Sequence, residues 1–107
     1  MLIEIAERSS LAKPNDPIWT TTIMTYELGS LIRGLTKARN KKAFKDDVGE
    51  RAYLAEARIE CADLITQTYL LAEQMGWDIC DLENEGKARF EERMNEYNED
   101  MAKGNDR

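Results

Sequence analysis

Four residues between positions 56 and 67 carry the most specific chemical signal in this sequence. At ~100° per residue on an α-helix, Glu56, Glu60, Asp63 and Gln67 fall at about 0°, 40°, 340° and 20°. Three carboxylates and an amide therefore share one narrow stripe. Leu64 and Leu71 flank it on one side, and Ile59 and Leu70 on the other. A solvated acidic face has polar neighbours, whereas this one has aliphatic ones. Carboxylates pressed among apolar groups either take up protons or gather a cation. Oxygen donors at i and i+3, here Glu60 and Asp63, suit a hard divalent ion that keeps several of its waters. The competing arrangement is an ion-pair network with Arg58, Arg33 or the bases near the C-terminus.

The elements that must position these side chains read as helices. Residues 2–8 form a short helix or an extended arm, and Ser9 to Pro17 is a loop by its Ser-Ser, Lys-Pro and Asn-Asp content, so 1–16 is an N-terminal arm. Asp16-Pro17 is an N-cap followed by proline in the first turn, and predicts a helix to about Arg39. Its apolar stripe is Met24, Leu28, Leu31, Ile32 and Leu35, with Glu27 beside it. Thr20, Thr21 and Thr22 weaken its first turns, and close packing would account for Gly29 and Gly34. Asn40 to Lys45 is a basic connection. Asp46 or Asp47 caps the next helix, which runs to Met75 and is ended by Gly76. The far side of that helix carries Ala55, Ala62, Ile65, Tyr69 and Ala72, and a helix apolar on several sides is central. Asp78 caps a last helix with a narrower stripe from Ile79 to Met101, and 103–107 reads as a frayed tail. The expected fold is one all-α domain spanning 1–107. It is a bundle of about four helices with two long central ones, completed by oligomerisation because a chain this short finishes little core alone.

Composition narrows the function classes. The net charge is −6 and the pI about 4.7, so a nucleic-acid backbone is not the expected partner. Arg33 to Lys45 runs against this trend, with six basic residues and no acid. There is no histidine, hence no imidazole base and no zinc site of the usual kind. Cys61 and Cys80 have no metal-ligand spacing and read as free thiols, which points to the cytoplasm. No apolar run approaches the ~20 residues of a membrane span, and no signal peptide is visible.

Several segments resemble the MazG-like nucleotide pyrophosphohydrolases. Tyr26-Glu27-Leu28-Gly29-Ser30-Leu31 is similar to the family's first acidic helix, with Ser30 where the family carries a second glutamate. Glu60-Cys61-Ala62-Asp63-Leu64 resembles its second acidic pattern, Glu-x-x-Asp. Gln74 to Asp78 resembles its helix break, and Lys87 to Arg93 its closing basic segment. The likeness covers roughly residues 20–94. It implies an all-α homodimer or homotetramer that hydrolyses a nucleoside triphosphate to the monophosphate and pyrophosphate with Mg²⁺, or with Mn²⁺ as a substitute. On that reading Glu27, Glu60 and Asp63 hold metal. Glu60 and Glu56 serve the chemistry, with Glu56 standing in for the acid missing at Ser30. Lys87, Arg93 and Trp77 contact substrate. The alternative is a degenerate, non-catalytic helical oligomerisation or interaction protein of the same fold.

Overall fold

The computed structural model describes Leu2 and residues 15–104. Of the expected arm at 1–16 only Leu2, Asn15 and Asp16 are described, and of the expected tail at 103–107 only Lys103 and Gly104. Three helices account for most of the described residues: α1 (Pro17–Ala43), α2 (Asp47–Met75) and α3 (Ile79–Ala102). No strand occurs among the described residues, so the fold is all-α. The fourth expected helix would fall on residues 2–8, where only Leu2 is described. No helix among the described residues is long and apolar enough to cross a membrane.

The helix ends follow local chemistry. The Asp16 carboxylate accepts from the amides of Ile18 and Trp19, with Pro17 in the first turn. Asp46 accepts from the Gly49 amide, and Asp78 from the Asp81 amide. Each cap satisfies amides that have no partner inside the helix. α2 stops at Gly76, whose φ of 70° is a left-handed conformation that costs glycine nothing. α1 extends past the expected Arg39 to Ala43, because nothing between Asn40 and Ala43 breaks a helix and Lys41 and Lys42 suit its last turn. The basic connection is therefore mostly helical. The turn itself is Phe44 to Asp46, with Lys45 at a φ of 56°. The hydroxyls of Thr20, Thr21 and Thr22 bond back to carbonyls one turn earlier, so each finds a partner within the helix without strengthening its weak start.

The chain divides into two compact units, Met1–Gly76 and Trp77–Arg107. In the first, α1 and α2 pack antiparallel. Thr20, at the start of α1, donates to Gln74 Oε1 at 2.8 Å, at the end of α2. At the other end Lys41 pairs with Asp46 at 3.5 Å. Between them the helices meet at small residues: a Cβ on Gly34 would lie 3.3 Å from Ala57 Cβ and 3.5 Å from the Tyr53 carbonyl. Gly34 thus answers to close packing, as expected; Gly29 does not, having nothing near it. The buried residues of α1 are Thr20, Gly34 and Ala38. The apolar stripe of α1 is largely uncovered, with Leu28, Ile32 and Leu35 each about half exposed. On α2, Leu54, Ile65 and Tyr69 are likewise exposed. The second unit holds α3, on which Phe90, Met94, Tyr97 and Met101 are exposed.

Candidate functional site

The register set at Gly34 and Ala57 determines which side chains meet further along the groove. Seven residues before Gly34 stands Glu27; seven after Ala57 stands Leu64, beside Asp63. Glu27 from α1 therefore comes against Glu60 and Asp63 from α2. One carboxylate oxygen from each of the three lies within 4.8 Å of the others. Glu27 and Glu60 are half-buried and Asp63 is exposed. The aliphatic wall is partial. Leu70 is buried and Leu64 and Leu71 are half-buried, but Ile59 is exposed. Ile59 sits about 100° around α2 from Glu60, away from α1, so the groove opens to solvent on that side.

The electrostatic cost of this arrangement falls on Glu27. Its pKa is pushed up to about 7, first by loss of solvent and then by the adjacent carboxylates of Asp63 and Glu60. In its protonated form Glu27 donates to its acidic neighbours. Of the bases in the ion-pair alternative, neither Arg33 nor Arg58 is ion-paired among the described residues. One turn beyond Asp63, Gln67 Oε1 is buried with no hydrogen-bond partner among the described residues. A buried amide oxygen without a donor is costly, and a water or hard ion in the groove would satisfy it.

The donor set fits a hard divalent cation. All three groups are carboxylates, and they come from two helices that meet. Octahedral Mg²⁺, with oxygens at about 2.1 Å, separates its ligand atoms by about 3.0 to 4.2 Å. The three carboxylate oxygens lie within 4.8 Å of one another, a spread close to that range. An ion held by Glu27, Glu60 and Asp63 would keep several of its waters, as Mg²⁺ prefers.

Beside the cluster lies a recess of about 280 Å³. α1 contributes Ser30, Arg33, Gly34 and Lys37 to it, and α2 contributes Tyr53, Glu56 and Glu60. Ser30 and Glu56 thus line one space, next to a member of the acid cluster. Lys37 Nζ stands 5.4 Å from the centroid of the Tyr53 ring. Tyr53 escaped the sequence reading, although it precedes Glu56 by three residues and Glu60 by seven and so shares their face. The other expected substrate contacts belong to the second unit. Trp77 is about half exposed. Lys87 is exposed on α3, and Arg93 lines a shallow polar recess there with Arg89, Glu92 and Glu96. Cys61 and Cys80 are free and exposed.

No protein-family model matches this chain, and neither the curated proteins nor the solved structures contain a match to it.

Proposed function

We propose that the chain is a divalent-metal-dependent hydrolase of nucleoside triphosphates, releasing pyrophosphate and a nucleoside monophosphate. The observation that supports it best is the convergence of Glu27, Glu60 and Asp63 from two helices onto one point. Mg²⁺ or Mn²⁺ held there would offset substrate charge and acidify a water molecule. Glu27, Glu60 and Asp63 are the ligands, held in place by the antiparallel packing of α1 and α2. Glu56, in the recess that adjoins Glu60, accepts the proton of the attacking water. The water oxygen forms a bond to the α-phosphorus as the bond from that phosphorus to the α,β-bridging oxygen breaks. Pyrophosphate leaves with the bonding electrons. Lys87 and Arg93 as phosphate contacts and Trp77 as a stacking surface for the base belong to the same proposal. So does a homodimer or homotetramer in the cytoplasm: Leu28, Ile32 and Leu35 form an exposed apolar row that a second copy would cover.

A second reading has its own support. Ser30 removes one acid from the site, and the apolar rows on α1 and α2 suit a non-catalytic helical interaction protein. A panel of common and modified triphosphates, incubated with Mg²⁺ and assayed for pyrophosphate, separates the two. The proposed function predicts release from at least one triphosphate, reduced at least 100-fold by Glu60→Gln or Asp63→Asn with helicity unchanged. Turnover at wild-type rates in both variants would reject the site, and a blank panel would favour the interaction protein.

A further inference from the structure

The recess beside the acid cluster holds two cations that this chemistry leaves unused. Arg33 and Lys37 stand one turn apart on α1, and both line it. Neither is ion-paired among the described residues. Lys37 lies over the ring of Tyr53, a cation–π contact that directs its ammonium across the groove towards α2. Glu60 belongs both to the acid cluster and to the recess wall. An anion in the recess would therefore lie between two basic side chains and whatever cation the cluster holds. On its own the recess is close to neutral, because Glu56 and Glu60 offset the two bases. Counted together with Glu27 and Asp63 the groove is acidic, and a divalent ion on the cluster brings it to neutral, which removes the repulsion an anion would otherwise meet. The volume, about 280 Å³, lies at the small end of ligand sites. Its lining is polar and charged, which suits phosphoryl groups better than a base.

We infer that Arg33 and Lys37 anchor the polyphosphate end of the substrate, so that the first unit selects for the phosphate chain and not for the base. This rests on the hydrolase reading above and names the side chains that hold the leaving group. The arginine fork makes paired hydrogen bonds to phosphoryl oxygens, while the lysine acts as a point charge.

The test is equilibrium dialysis of radiolabelled inorganic pyrophosphate against wild type, Arg33→Gln, Lys37→Gln and the double variant. It is run with and without a fixed free concentration of Mn²⁺, beside titrations of Mn²⁺ alone. The expected result is pyrophosphate binding by the Mn²⁺-loaded wild type, weakened at least tenfold in each single variant and lost in the double. Affinity for Mn²⁺ alone should stay unchanged throughout. Equal pyrophosphate binding by wild type and double variant overturns the inference while leaving the metal site standing, and so does an absence of pyrophosphate binding by the Mn²⁺-loaded wild type. A protein that binds no Mn²⁺, yet loses pyrophosphate in the double variant, rejects the metal site and keeps the anchor.

Discussion

Two stretches of the same helix pair solve opposite problems. Around Gly34, Ala38 and Ala57 the helices approach closely on small side chains, and all three residues are buried. Two turns away, around Glu27, Glu60 and Asp63, the same groove holds carboxylates within 4.8 Å of one another. The first stretch is what van der Waals packing prefers. The second opposes it, since like charges in partial shelter repel one another and one of them takes up a proton. On the proposed reading the second stretch serves a ligand and the first holds the geometry that the ligand needs.

That contrast can be pressed from either side. Bulk at the close contact should do the most damage to the fold. Gly34→Leu has no space against Ala57 and Tyr53 and should lower stability by about 1–3 kcal/mol. Urea unfolding followed by circular dichroism would read this, and metal affinity should fall with it because the register slackens. A midpoint equal to wild type would mean that the helices do not meet as described.

The acidic stretch should respond with the opposite sign. Glu27 is ordinarily ionised above about 4.5 and in the fold only above about 7, so the metal-free fold binds more protons than the unfolded chain across that window. Stability contributed by this group is therefore greatest below pH 4.5 and is lost as the pH rises to 7. Glu27→Gln should remove that dependence and stabilise the metal-free protein at pH 8. For a half-exposed group, screening limits the gain to about 1 kcal/mol or less. Thermal unfolding of the variant and wild type at pH 5 and pH 8 checks the sign. A variant less stable than wild type at pH 8 would show that the carboxylate is already compensated.

The two stretches were unequally legible in the sequence. The caps at Asp16, Asp46 and Asp78 and the stop at Gly76 are local, and local chemistry reveals them. The acid stripe was legible because helical spacing alone puts Glu60 beside Asp63. Glu27 could be joined to it only through a resemblance, and the structure brings the three together. The packed face of α1 was not legible. Amphipathicity shows that Leu28, Ile32 and Leu35 want cover but not which element provides it, whereas the close contact uses Gly34 and Ala38, which hydropathy barely registers. The recess was hidden for the same reason. Arg33 and Lys37 meet Tyr53 and Glu56 only in a register that small residues set.

The central claim is that the acids of α1 and α2 share a groove because a divalent ion neutralises them. Calorimetric titration of Mn²⁺ into the wild type, Glu60→Gln and Asp63→Asn, at pH 6 and pH 8, tests it most directly. The account predicts saturable binding by the wild type, tighter at pH 8 than at pH 6 because Glu27 must give up its proton, and loss of at least 100-fold in affinity in either variant. No saturable binding at pH 8, or equal affinity in all three proteins, would contradict it.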